Sequence, residues 1–284
     1  MNGIINIYKP LGITSHGAVS RVRRILGMKK VGHTGTLDPD AEGVLPICIG
    51  KGTKIAGLLT DADKAYRAVI NLGLTTDTQD ASGEILTQSE VNVTEQEFVS
   101  VVNQFIGKIE QVPPMYSALK VNGRKLCDLA RQGIEVERKA REITIFDIKI
   151  SDFNGETATL DVSCSKGTYI RTLCHDIGQK LGCGAIMQSL IRTKSGIFEL
   201  SESVSFEEFE TDPEKYITAP DKIFSHFPEY IANADETAKI KNGIRISADT
   251  EKGKTYRVYS DKGEFLALSV SDGTKLIMQT AFWE

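Results

Sequence analysis

The chain has 284 residues, of which 40% are hydrophobic, and a formal net charge of −4. This length and composition suit a globular protein with one large domain and a small one, and the acidic balance argues against indiscriminate binding to nucleic acid. No apolar run approaches the ~20 residues that span a bilayer, and no basic flank precedes a long apolar stretch at the start. We therefore expect a cytoplasmic protein without membrane contact.

The five cysteines form no CxxC pair, and their number is odd. In a chain without a secretion signal this pattern favours buried thiols over disulfides or a zinc site. We expect no metal.

In chain order, the first predicted elements are a strand over 3–8, a turn over 9–12 and a helix. Thr14 or Ser15 can cap this helix, and Gly27 suits its end. A loop with the sequence GHTGTLDPDAEG follows over 32–43. Its glycines and the Asp38-Pro39 step predict a specified turn, so we expect its acidic side chains to point towards a particular target.

Alternating hydrophobicity predicts a strand over 65–72, with Tyr66 on its apolar face, and two paired strands over 143–150 and 157–163. Between them, Thr94 and Glu97 form a capping-box signal before a helix. The expected apolar stripe of that helix contains Phe98, Val101, Val102, Phe105 and Ile106.

Residues 115–141 are rich in basic side chains, including Arg124, Lys125 and Arg131, and contain the turn formers Gly123 and Gly133. A solvated surface is the simplest interpretation of one basic run. A second basic run, however, lies over 21–30, and the two runs flank the acidic loop. This arrangement favours a polyanionic partner, so we interpret 115–141 as a long, partly irregular insertion that contacts a ligand.

The spacing of apolar residues predicts a helix over 169–181, closed by Gly182. Arg171 stands in its first turn, where a cation meets the positive end of the helix dipole. It is either a solvated surface residue or the partner of an anion from another part of the chain. Beyond it, hairpin signals at 261–263 and 272–273 predict a small β-rich domain over 223–284.

Four segments together resemble the motifs of the bacterial TruB-type tRNA pseudouridine synthases. They are GHTGTLDPDAEGVLPICIG, KAYRAVINLG with TTDTQDASG, PPMYSALKVNGRKLCDLARQG, and CSKGTYIRTLCHDIGQKLGCGA. The resemblance implies an α+β fold: a catalytic domain over 1–222, with a mixed, largely antiparallel sheet flanked by helices, and a PUA-like β domain over 223–284. It also implies isomerisation of the T-loop uridine at tRNA position 55 without a cofactor or metal.

By this resemblance Asp38 matches the catalytic aspartate, with Tyr66 and Arg171 as its catalytic neighbours. The substrate-binding positions are His33, Tyr66, Tyr169 and Leu190. Asp40 and Glu42 match no catalytic position and are expected to be solvated loop carboxylates. The implied partner is the T-arm and elbow of tRNA, contacted by Arg124, Lys125 and Arg131, with no obligate protein partner and a monomeric chain.

The chemistry leaves the role of the carboxylate open: covalent nucleophile, electrostatic partner of a cationic sugar, or base. Arg171 is expected to keep Asp38 ionised, and Tyr66 to stack on a flipped uracil. Two other functions remain. A noncatalytic RNA-binding protein gains nothing from Asp38 in its cleft. The second alternative is a glycoside hydrolase that uses Asp38 with Asp40 or Glu42. That chemistry needs two carboxylates that flank a sugar, whereas these residues lie on one short loop.

Overall fold

A mixed sheet of nine strands within the described residues forms the framework of the fold. The computed structural model describes residues 1–121 and 123–283. The other two positions belong to the predicted insertion and the predicted C-terminal domain. The strands are β1 (Gly3–Lys9), β2 (Val31–His33), β3 (Ala41–Ile49), β4 (Lys64–Leu72), β5 (Leu74–Thr76), β6 (Ile85–Gln88), β7 (Gly107–Gln111), β8 (Lys120–Val121), β9 (Arg124–Lys125), β10 (Arg141–Ser151), β11 (Thr157–Cys164), β12 (Ala185–Ser195), β13 (Phe198–Glu199), β14 (Glu229–Ala232), β15 (Ile246–Ser247), β16 (Thr255–Ser260), β17 (Phe265–Ser271) and β18 (Lys275–Ala281).

The helices are mostly short. They are α1 (Ser15–Leu26), α2 (Ala56–Thr60), α3 (Glu95–Asn103), α4 (Leu126–Ala130), α5 (Ile170–Leu181), α6 (Phe206–Thr211), α7 (Pro220–Ile223) and α8 (Ala234–Lys241), besides three 3₁₀ segments in the described part of the chain.

The strand order of the large sheet is β1-β3-β12-β4-β11-β10-β7, with β2 paired to β3 and β13 paired to β12. Only the β3–β12 contact is parallel among the described pairs of this sheet. The predicted α+β class and the mixed, largely antiparallel sheet are therefore confirmed. Helices α1, α3 and α5 contribute to the larger hydrophobic core, together with the sheet.

Local signals set the ends of these helices. Thr14 caps α1 by accepting from the Gly17 N–H, and Gly27 closes it in the left-handed conformation, as predicted. The capping box of Thr94 and Glu97 also forms. The predicted stripe was wrong at its end, because α3 stops at Asn103 and the chain turns into β7.

Phe105 consequently reaches the core from outside the helix, and Ile106 is 39% exposed. The backbone shows the physical reason, since residues 104–106 make tight i→i−3 hydrogen bonds in place of the helical ones, and Gly107, with φ of 108°, then begins β7.

Strand β3 is buried on both faces. Leu45 and Ile47 face the larger core, whereas Val44 and Cys48 face a second cluster that includes Leu268 of β17. A second sheet of described strands, ordered β14-β16-β17-β18-β15, thus packs behind the large sheet.

Candidate active site

The acidic loop is held as a short, clamped connection between β2 and β3. Strand β2 extends to His33 and β3 begins at Ala41, so the irregular part is shorter than the predicted 32–43 turn. The expectation for Glu42 was wrong: it lies in β3, half-buried, and accepts a hydrogen bond from the Tyr8 hydroxyl at 2.6 Å. Asp40 is exposed, as expected.

Buried polar groups fix the backbone of this loop from below. The Lys9 ammonium, fully buried, donates to the carbonyls of Ile13 at 2.8 Å and Pro39 at 3.3 Å. Burial lowers the pKa of Lys9 to about 8 despite the nearby carboxylates. Ser15 closes the other side, since its hydroxyl accepts from the Leu37 N–H at 2.7 Å and donates to the Leu37 carbonyl at 2.9 Å. Of the two residues on either side of Asp38, Pro39 is therefore tied to the end of β1 and Leu37 to the start of α1.

Arg192 of β12 holds the other end of the loop. Its buried guanidinium donates to the carbonyls of Val44 at 2.7 Å and Gly35 at 3.3 Å. Gly43, with φ of 102°, permits the close pairing of the β3 and β12 backbones at this point, because a Cβ there would lie 2.4 Å from the Arg192 carbonyl oxygen. The chain can therefore carry only glycine at this crossing without a shift of backbone.

Arg171 brings Asp38 together with a second carboxylate. Its side chain is 7% exposed, and its Nη2 lies 3.1 Å from Asp38 Oδ2, while Nη1 lies 3.2 Å from Asp80 Oδ2. The guanidinium also donates to the carbonyls of Thr78 at 3.2 Å and Tyr116 at 2.7 Å. Arg171 thus has the anionic partner expected for an arginine in a first helical turn, and it has two such partners, Asp38 and Asp80.

Asp80 is itself preorganised. Its Oδ1 accepts from the Thr78 hydroxyl at 2.7 Å and from the Ser82 hydroxyl at 2.6 Å and N–H at 3.0 Å. With both oxygens occupied, Asp80 serves as a fixed anchor for the arginine.

The environment of Asp38 raises its pKa above the ordinary value. Burial is the largest cause, Arg171 acts in the opposite direction, and the charge of Asp80 adds to the rise. The sequence argument anticipated only the lowering by Arg171. Since the Asp38 side chain remains 42% exposed to the cleft, a substrate can reach it.

An inner cavity of about 390 Å³ opens beside Asp38 and is lined by Tyr66, Tyr169, Arg171 and Leu190. Tyr66 of β4 and Arg192 of β12 are paired across neighbouring strands. Burial raises the pKa of Tyr66, while the nearby Arg192 guanidinium acts to lower it. The structure therefore brings the predicted residues Asp38, Tyr66, Tyr169, Arg171 and Leu190 to one cavity.

The side chain of Gln111 fixes the backbone position of Tyr169. Tyr169 stands at the N-cap of α5, where its side chain makes no capping bond. The buried Gln111 side chain instead accepts from the Tyr169 N–H at 2.8 Å and donates to the Tyr169 carbonyl at 3.0 Å. Both backbone groups of this residue are thereby fixed.

An outer cleft of about 790 Å³ joins the inner cavity at Asp38 and Arg171, and its wall includes His33, Lys125 and Arg131. The His33 Nδ1 accepts from the Gly35 N–H at 3.2 Å, and burial followed by the charge of Arg192 lowers the pKa of His33. Arg124 lies on a neighbouring depression and donates to Gln132 at 2.7 Å. The basic insertion therefore borders the cleft with two of its three predicted residues.

Within residues 1–121 and 123–283, no group of His, Cys, Asp or Glu could hold a metal ion. None of the helices described there is both long and apolar enough to cross a membrane.

Sequence reasoning missed Asp80, Gln111 and Arg192 as parts of this site. Asp80 lies within the recognised TTDTQDASG motif, whose dense turn-forming residues were a usable signal. Nothing in the local pattern around Gln111 or Arg192 indicates which groups they contact, because those hydrogen bonds join segments that are far apart in the chain.

Comparison with known proteins fits this geometry. Residues 23–170 match the family described as TruB family pseudouridylate synthase (N terminal domain), and residues 171–223 match the tRNA pseudouridylate synthase B C-terminal domain. The chain belongs to the TruB family of pseudouridylate synthases.

Two relatives and one solved structure support this family assignment. A tRNA pseudouridine synthase B of Clostridium perfringens (strain 13 / Type A) is 47% identical over 281 residues, covering 96% of each chain. One of Alkaliphilus oremlandii is 51% identical over 248 residues, covering 87% of this chain and 83% of the relative. Among solved structures, a chain in a Cbf5-Nop10-Gar1 complex has a TM-score of 0.73 at 27% identity, covering 99% of this chain and 85% of that one.

Membership of the TruB family accounts for the fold and for the clustering of motif residues from four distant segments.

Proposed function

We propose that this protein converts uridine 55 in the T-loop of tRNA to pseudouridine. The observation that carries the proposal is the Asp38 carboxylate, ion-paired to buried Arg171 at the mouth of a cavity lined by Tyr66 and Leu190. The relatives named tRNA pseudouridine synthase B support tRNA as the substrate.

In this mechanism the target nucleotide leaves its stack, at a cost of a few kcal/mol, and its uracil enters the inner cavity. Stacking on Tyr66 recovers about 1–3 kcal/mol. Asp38, at the cavity mouth, faces C1′ of the ribose and supplies the negative charge that cleavage of the N1–C1′ bond requires. The freed uracil then turns inside the cavity and C5 joins C1′. The C5 proton is released to solvent and N1 takes up a proton, so that the product is an isomer of uridine.

The reaction rearranges bonds within one nucleotide and neither oxidises nor hydrolyses it, so we propose that it needs no cofactor. We further propose that the chain acts as a monomer in the cytoplasm, which is supported by one chain supplying Asp38, Tyr66, Tyr169, Arg171 and Leu190 to the cavity.

We assign residues 1–222 to the catalytic unit and 223–284 to a PUA-like domain, with 115–141 as the RNA-contacting insertion. The separate five-stranded sheet supports the second unit. The exposed Lys125 and Arg131 beside the cleft support the insertion's role, since cations near a groove attract phosphates.

The test is tritium release from tRNA labelled at uracil C5, because joining C5 to the ribose expels that atom. Release should occur from wild-type substrate and should vanish when position 55 is not uridine. The Asp38→Asn variant is nearly isosteric but uncharged. It should bind tRNA with similar affinity, and its rate of tritium release should be lower by about a thousandfold or more. Rapid release by Asp38→Asn would remove the carboxylate from the chemistry.

A further inference from the structure

Ser117 carries a buried hydroxyl beside the Tyr169 side chain. The residue is 5% exposed, and its Oγ makes no hydrogen bond of normal geometry to any described residue. A hydroxyl has one donor and two acceptor positions, and burying it without a partner costs free energy that an alanine would not incur. Such a group in a functional cleft points to a bound ligand.

The backbone around this hydroxyl is fixed. The Ser117 N–H donates to the Met115 carbonyl at 2.9 Å, and the Ser117 carbonyl accepts from the Cys127 N–H at 3.0 Å. The preceding carbonyl, of Tyr116, accepts from Arg171 at 2.7 Å, and Arg171 in turn holds Asp38. Ser117 is therefore positioned by the same arginine that positions the carboxylate.

Ser117 borders both the inner cavity and the outer cleft, as do Asp38 and Arg171. A nucleotide with its uracil in the inner cavity and its phosphates in the cleft leaves its ribose at this boundary. There, Asp38 must reach C1′. The polar group bonded to the adjacent carbon is the 2′-hydroxyl, which both donates and accepts, as the serine hydroxyl does.

On this basis, which rests on the proposed function, we propose that the Ser117 hydroxyl hydrogen-bonds the 2′-hydroxyl of the target nucleotide. Ser117 thereby positions the ribose for Asp38 and contributes to the preference for RNA over DNA at the target position.

A purely internal role is the competing interpretation. Tyr169 lies close enough for Ser117 to influence it: burial raises the pKa of Tyr169, and hydrogen bonding with the Ser117 side chain, outside normal geometry, acts to lower it. If Ser117 served only Tyr169, its loss would affect ribose and deoxyribose substrates equally.

The experiment is a double cycle of protein and RNA changes. Dissociation constants are measured for T-arm RNA with ribose or 2′-deoxyribose at the target uridine, in an Asp38→Asn background so that the RNA stays intact. With Ser117 present, we expect ribose to bind about 3- to 10-fold more tightly. Adding Ser117→Ala should abolish this ratio, and Ser117→Thr, which keeps a hydroxyl, should retain most of it.

Tyr116→Phe is the matched control. Its hydroxyl lies one residue away, donates to Asp77 at 3.1 Å and borders only the outer cleft of these two spaces. This variant should keep the ratio. An unchanged ratio in Ser117→Ala, with normal tritium release by the wild-type enzyme, would overturn the Ser117 assignment alone. Absent tritium release in the wild-type enzyme would overturn the proposed function and this assignment together.

Discussion

Two groups of charges lie in and beside the cleft, and they differ in how firmly the fold holds them. Arg171, Asp38 and Asp80 form a network in which the arginine is almost completely buried and bonded to both carboxylates and two carbonyls. Arg124, Lys125 and Arg131 of the insertion are exposed. The buried network is held in a single geometry, whereas the exposed side chains of the insertion can change conformation to fit a partner.

The difference separates two kinds of electrostatics. A buried pair acts through orientation and low dielectric, so breaking it leaves an uncompensated charge. Exposed cations act on a polyanion over a Debye length and are screened by salt. Changes to the buried network should therefore appear in the rate of the chemical step, and changes to the insertion should appear in affinity and its salt dependence.

The largest effect is expected from Arg171→Met. Loss of the guanidinium removes the largest influence that lowers the Asp38 pKa, and only the smaller effect of Lys9 still opposes the rise caused by burial and Asp80. Because the ionised form is needed, the acidic limb of the pH–rate profile should move to higher pH. The single-turnover rate at neutral pH should fall by about 100-fold or more.

Arg67→Met is the matched control for this prediction. Arg67 makes an equally close, two-bond pair with Asp161, at 2.8 and 3.0 Å, but on an exposed part of the sheet. It should leave the pH–rate profile unchanged, and an unshifted profile in Arg171→Met as well would separate Arg171 from the ionisation of Asp38.

Asp80→Asn should have a smaller effect of mixed sign. The variant weakens the anchor of Arg171 but also removes a negative charge that raises the Asp38 pKa. We expect a rate decrease of about 10-fold, together with an acidic limb shifted to lower pH. Single-turnover rates across pH measure both, and a shift to higher pH would show that Asp80 acts on Asp38 only through the arginine.

These expectations show which parts of the site are readable from sequence. Arg171 was identifiable because a cation in a first helical turn is unfavourable without an anion, and that argument needs only local structure. Asp80 was not identifiable, because its role depends on a hydrogen bond from Arg171 of α5, which is 91 residues away in the chain. Glu42 was misassigned for a related reason: its partner Tyr8 lies on a neighbouring strand, and pairing register is a tertiary property.

The fold shows the same division. Alternation predicted β4 within one residue, and caps predicted α1 correctly, since periodicity and end groups are local. The end of α3 was wrong because apolar residues after a helix can pack on the same core from an irregular segment.

The insertion should respond differently from the network. Replacing Arg124, Lys125 and Arg131 together by alanine should weaken tRNA binding and reduce the slope of log K against log salt by about 2 to 3. The single-turnover rate at saturating tRNA should change little, because the buried network is intact. Filter binding over a series of salt concentrations measures the slope.

An equal number of cations elsewhere provides the comparison. Arg67, Lys108 and Lys149 are exposed on β4, β7 and β10. Their joint replacement should alter the salt slope much less. Equal slopes in the two triple variants would mean that only net charge matters.

The smallest effect concerns Asp176 of α5, a half-buried carboxylate whose pKa burial raises to about 6. The folded protein therefore holds this proton more tightly than the unfolded chain, so stability falls as pH rises from the unfolded pKa, 3.8, to about 6. Asp176→Asn should be about 1 kcal/mol more stable than wild type above pH 7 and equal to it below pH 4. Denaturant unfolding at both pH values measures the difference.

The two-sided burial of β3 bears on modularity. The strand leads from the Asp38 loop and presents Val44 and Cys48 to the cluster that contains Leu268 and Phe282. Removing residues 223–284 would bare this apolar surface to water. A chain shortened in this way would tend to self-associate and would not be a smaller active enzyme. Recombination that exchanges the terminal unit must therefore preserve the shape and apolar character of this surface, so the two parts are constrained to evolve together.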